Sequence, residues 1–200
     1  MLRIPASLLL EVVVEEIKIK GLSMVHMHRF LVERFGEDGL ARVLAALPPE
    51  RAQVLRSPSP SAWYELRDHA LIEAQVMEVL YGGDLSKAKE FARYDAALQI
   101  GNVFKFVLRV LDPGFLIKKS GSLWSQSFSG GRCEVESTGP ASCLMKLSGY
   151  DQVHEVMCHD WQGTVEGMLQ VSGVRESIVT HPECRFHGAQ RCVYDIRWKK

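Results

Sequence analysis

With 200 residues, 46% of them hydrophobic, the chain can bury a substantial core, which argues against disorder. Its 24 basic side chains balance 24 acidic ones, so there is no electrostatic case for nucleic acid or for an acidic membrane surface. Five cysteines, an odd number in a chain that needs no disulfides to hold a core, point to metal ligands in a reducing compartment.

The opening run, Leu8–Leu10 and Val12–Val14, is broken by Glu11, Glu15 and Glu16. It is too short to span a bilayer and is followed by no small-residue cleavage pattern, so a soluble, cytoplasmic protein without a membrane span is expected. Val12–Lys20 is rich in β-branched residues and predicts a strand ending at Gly21. Ser23 is placed to cap a helix through Met24–Phe35, which Gly36 stops; a second helix, Asp38–Leu47, ends at Pro48-Pro49. Ser57–Ser61, with two prolines, is a loop. From Trp63 the residues Leu66, Ala70, Ala74, Met77 and Leu80 form one apolar stripe up to Gly82-Gly83. Asp84 can cap a further helix on Leu85, Ala88, Ala92, Ala96 and Ile100, continued by Val103, Val107, Leu108 and Leu111 as far as Asp112-Pro113-Gly114.

Beyond that point, Phe115–Lys119 and Leu123–Phe128 fit helix or strand equally. Arg132–Ser137 and Ser142–Gly149 alternate around Thr138-Gly139-Pro140 and predict a hairpin. Val153–Val171 returns to helical spacing with His154, Cys158, Trp161 and Val165 on one face, and Glu176–Thr180 with Cys192–Trp198 make a second hairpin. The expected architecture is α+β: an antiparallel sheet of about four to five strands packed with helices. Residues 1–200 are read as a single domain, with a strand and helical layer over 1–112 and hairpin, helix and metal-bearing hairpin over 113–200.

His181 and Cys184 are three positions apart, and a glycine-bearing turn returns the chain at Cys192. With Cys158 from the preceding helix these make a four-donor set for zinc, which takes thiolates and imidazole at tetrahedral corners. Four protein ligands leave no water position, so the ion would be structural. Glu183, His159 and His187 compete for the place of His181, and a Cys184–Cys192 disulfide is the alternative to metal.

Glu183-Cys184-Arg185-Phe186-His187-Gly188-Ala189-Gln190-Arg191-Cys192-Val193-Tyr194-Asp195-Ile196 resembles the C-terminal signature of the 4-vinyl-reductase domain family. That family includes the sensor domains of phenol- and xylene-responsive transcription activators. In those sensors zinc is held by an upstream helical Cys and a Glu-x2-Cys-x7-Cys run; this chain offers Cys158 and His181-x2-Cys184-x7-Cys192, with His in place of Glu. More weakly, Gly21–Gly36 is similar to the opening of haem nitric-oxide-binding domains, which share a superfamily with 4-vinyl-reductase domains and the TRAPP vesicle-tether subunits. The length and the Gly101-to-Trp124 region also resemble an uncharacterised myxobacterial paralogous family.

The resemblance implies a zinc-stapled domain that senses or binds a small apolar molecule and acts through a homodimer or a partner protein. Trp124, Trp161, Phe104 and Phe128, with Phe106 and Phe115, are the candidate pocket wall, although aromatic residues are more often core. Haem is disfavoured, because His69 is the only histidine in the middle helices and Ser122–Arg132 lacks a Tyr-x-Ser-x-Arg propionate clamp. Met24, His26, Met27 and His28 read as the faces of an amphipathic helix. No enzyme is expected: Ser120, Ser122, Ser125, Ser127 and Ser129 lack a paired base. The alternative function is a TRAPP-subunit-like scaffold with no ligand.

Overall fold

The structure, a computed structural model, describes residues 16–100, 115, 117, 119–150 and 153–199. Strand β1, Lys18–Lys20, pairs antiparallel with β2, Trp63–Glu65, in a two-stranded ribbon. Residues 12–15 of the expected first strand lie outside the described residues. Trp63, expected to head the helical stripe, is in β2 instead; its exposed ring lies under the Lys20 ammonium at 4.8 Å.

Helix α1 spans Gly21–Ala46 and follows β1 without a loop. Ser23 does not cap it. The first amide, Gly21, donates to the Ala62 carbonyl at 2.8 Å, and the Ser23 hydroxyl donates to Asp95 at 2.9 Å. Gly36 breaks the helix where the sequence places a stop, with φ 69° and ψ 179°, a conformation essentially reserved for glycine. Pro48-Pro49 ends this helix and starts another, α2, Pro49–Arg56, because proline at the first helical position lacks only an amide that would be unbonded there. α3 covers Leu66–Tyr81 and ends at the left-handed Gly82. Asp84 caps a short 3-10 turn, Leu85–Lys87, accepting from the Ser86 amide at 3.0 Å, and α4 follows over Ala88–Gln99. Its expected continuation through Leu111 to Gly114 lies outside the described residues. The undecided Leu123–Phe128 stretch belongs largely to helix α5, Ser120–Ser127.

Strands β3 (Arg132–Gly139), β4 (Ser142–Ser148), β5 (Ser177–Glu183) and β6 (Cys192–Trp198) form an antiparallel sheet in the order β3-β4-β6-β5. The expected α+β class, with an antiparallel sheet of four to five strands packed by helices, is what is found, and the ribbon is a second, two-stranded sheet. Cys133 faces Leu147 and Cys143 faces Ser137, so these two cysteines are not opposite each other. Helix α6, Val156–Val171, lies between the sheet and the other helices. Toward α4 it presents Gly163 and Gly167: a Cβ on Gly163 would sit 2.6 Å from the Lys89 Cα, and one on Gly167 2.9 Å from the Ala96 Cβ. The alanine stripe of α4 thus serves close backbone packing. One hydrophobic cluster joins both layers, from Met27 and Leu31 through Ile72, Met77 and Phe91 to Trp161, Tyr194 and Ile196.

Candidate metal centre

His181 lies in β5 and Cys184 directly follows its last residue. A 3-10 turn, Arg185–His187, then closes on Gly188 at φ 92°, while the His187 and Ala189 amides both donate to the Cys184 carbonyl at 3.0 and 3.1 Å. Cys192 opens β6, one of the two inner strands, and Cys158 comes from the first turn of α6. The Tyr194 hydroxyl donates to the Cys158 carbonyl at 3.0 Å, tying strand to helix beside the thiols.

One donor atom from each of Cys158, His181, Cys184 and Cys192 lies within 4.8 Å of all the others. The Cys158 sulfur is 3.8 Å from those of both Cys184 and Cys192. Arms of about 2.3 Å set at tetrahedral angles would put ligand sulfurs about 3.8 Å apart. A disulfide would need about 2.05 Å, and Cys158, Cys184 and Cys192 are not disulfide-bonded in this structure. All three thiols are buried; His181 is half-buried, its ring stacked on Tyr194 at 4.3 Å and its Nε2 without a hydrogen-bond partner. The hydrogen bond from Cys158 holds the Cys192 thiol down to about 3, and the same bond pushes Cys158 up. Such a shared proton is what a divalent cation would displace. Of the competitors, Glu183 is exposed, His187 contacts Glu155 at 3.1 Å, and His159 stands outside this donor group.

The aromatic candidates sit nearby. Trp124 stacks on Phe128 at 4.2 Å and meets Trp161 at 5.6 Å; Tyr150 meets Trp161 edge-on at 4.6 Å. Trp161 Nε1 is buried without a hydrogen-bond partner. Phe115 is exposed, and Phe104 and Phe106 lie outside the described residues.

A second group was not anticipated. His69 and Glu73, one turn apart on α3, meet Asp160 of α6, with one donor atom from each within 4.8 Å of the others. Burial pulls His69 down to about 4 and keeps it neutral. Burial, then the Asp160 and Asp95 carboxylates, pushes Glu73 well above the carboxylate range. The signal was available in the sequence: a His and a Glu four apart, bordering the apolar stripe of α3. Asp68, beside His69, points elsewhere and pairs with Arg51 at 2.7 Å. His26 of α1, the other deeply buried imidazole, is bonded to Asp95 at 2.5 Å.

No family model matches the sequence. No curated protein matches it either. Among solved structures, an H-NOX protein from S. oneidensis in the Fe(II)NO state is similar at 15% identity and a TM-score of 0.69, over 91% of this chain and 100% of that one. The unliganded Fe(II) H-NOX protein from K. algicida gives 10% identity and 0.69, over 91% and 97%. An oxygen-binding H-NOX domain related to soluble guanylate cyclases gives 15% and 0.65, over 91% and 96%. The chain therefore has the H-NOX fold. This overturns the expectation against haem: the fold is that of iron-bearing domains, and the missing clamp motif does not exclude the group. Among the described residues His69 fits haem iron, being buried and neutral with Nδ1 unpartnered.

Proposed function

We propose that this chain is a non-enzymatic small-molecule sensing domain, stapled by a structural zinc ion on Cys158, His181, Cys184 and Cys192, and acting through self-association or a partner protein. What supports a sensing role is the fold, similar over 91% of the chain to domains solved with nitric oxide or oxygen. What supports zinc is a set of four donors within 4.8 Å of one another, joining α6 to the sheet. The ion would hold together the two layers between which a ligand enters, and Trp124, Phe128 and Trp161 would form one wall. The unpartnered Trp161 Nε1 is a donor that a ligand's acceptor would satisfy. Haem is the alternative carrier of that ligand, in place of a bare cation: His69 would hold it, and its iron would supply a binding site for a small gas.

Two measurements test it. Purified chain should carry about one zinc per molecule by mass spectrometry of metals, and Cys184→Ser should lose it; equal zinc in both, or none in the wild type, removes the staple. Native mass spectrometry and absorption spectra should find a co-purified small molecule or added haemin bound, with sedimentation shifting on binding. A chain that takes up neither and sediments identically throughout is no sensor.

A further inference from the structure

His69, Glu73 and Asp160 are left without a task by the zinc staple. They are 1%, 1% and 8% exposed, and His69 Nδ1 and both Glu73 carboxylate oxygens have no hydrogen-bond partner. An unbonded carboxylate in the interior is among the most costly groups a fold can hold. Here two carboxyl groups face each other with no lysine or arginine paired to either among the described residues. The third carboxylate nearby, Asp95, is already bonded to His26, Ser23 and Gln99. A haem iron would use the imidazole and leave both carboxyl groups as they are. A bare divalent cation would answer all three: its charge balances two carboxylates, and imidazole with carboxylate oxygens is the donor set of manganese, iron, cobalt and zinc.

We infer that His69, Glu73 and Asp160 form a second metal site, for a divalent transition-metal cation. Its three donors come from two helices, one pair spaced a turn apart on α3 and the third from α6. Three protein ligands leave coordination positions free, in contrast to the closed thiolate set, so this is where a small molecule can bind a metal directly. The site stands independently of the zinc staple.

Manganese separates the two sites, because it favours carboxylate oxygen over thiolate. The full chain, refolded with zinc and then with Mn2+, should bind about one Mn2+ per molecule in electron paramagnetic resonance titrations. Glu73→Gln, near-isosteric and neutral, and His69→Ala should each weaken Mn2+ at least tenfold while retaining the zinc that Cys184→Ser loses. Circular dichroism establishes that each variant folds, and Asp160→Asn replaces any that does not. Unchanged Mn2+ affinity in the folded variants overturns the site. So does a wild type that holds no metal beyond the equivalent removed by Cys184→Ser, or one that carries haem on His69. Loss of zinc dependence alone would remove the staple and leave this site standing.

Discussion

In the proposed zinc site, the Cys192 thiol is the one that its neighbours lower most. The Cys158 sulfur lies 3.8 Å away and its hydrogen bond lowers Cys192, so binding of the proposed zinc would displace the proton held between them. A chelator that strips the ion should therefore destabilise the fold. With free zinc a thousandfold above its dissociation constant, the linked loss is about 4 kcal/mol, readable as a lower unfolding midpoint in urea. Cys184→Ser should show the lower midpoint without chelator and no further response to it. At Gly36 the matter is backbone alone. No atom crowds the missing Cβ, yet φ is 69°, so Gly36→Ala should cost about 1–3 kcal/mol, with the same far-ultraviolet spectrum and a lower midpoint.

Among the described helices, α4 and α6 pack backbone to backbone at Gly163 and Gly167. Gly163→Ala places a methyl group 2.6 Å from the Lys89 Cα; since backbone must move, about 1–3 kcal/mol of stability should be lost, measured by equilibrium denaturation. The Ala88-Ala92-Ala96 stripe was legible as a helical face, but not as a surface shaped for another helix's glycines, because the partner lies some seventy residues on in the chain. Other differences have similar causes. Trp63 fits a helical spacing, and only pairing with Lys18–Lys20 makes it a strand. Ser23 has the chemistry of a cap, but Asp95 takes its hydroxyl from another helix. The thiolate set was legible because three of its members fall within one hairpin. Asp160 was not, since it comes from a different helix than the His69–Glu73 pair, and no local spacing marks a carboxylate as its partner.

For the whole molecule, strand-rich ends around a helical middle gave the α+β class, and the likeness to H-NOX structures adds which arrangement it is. Haem was judged on a clamp motif and on the scarcity of histidines, both of which are sequence features; the fold is retained at 10–16% identity, where such motifs need not survive. Incubation with haemin decides it: a Soret band lost in His69→Ala establishes His69 as the residue that holds the iron.

Helix α6 supplies Cys158 to one donor group and Asp160 to the other. Two residues apart on a helix are about 200° apart around its axis, so the two side chains leave opposite sides of the same rod. Any shift or rotation of that rod is felt by both groups in the same instant. Thermodynamic reciprocity makes any such coupling mutual: an ion beside Asp160 would change the zinc affinity of the cysteine cluster by the factor by which zinc changes its own. The staple would double as a dial: zinc availability would set how readily the interior of the domain accepts its ligand.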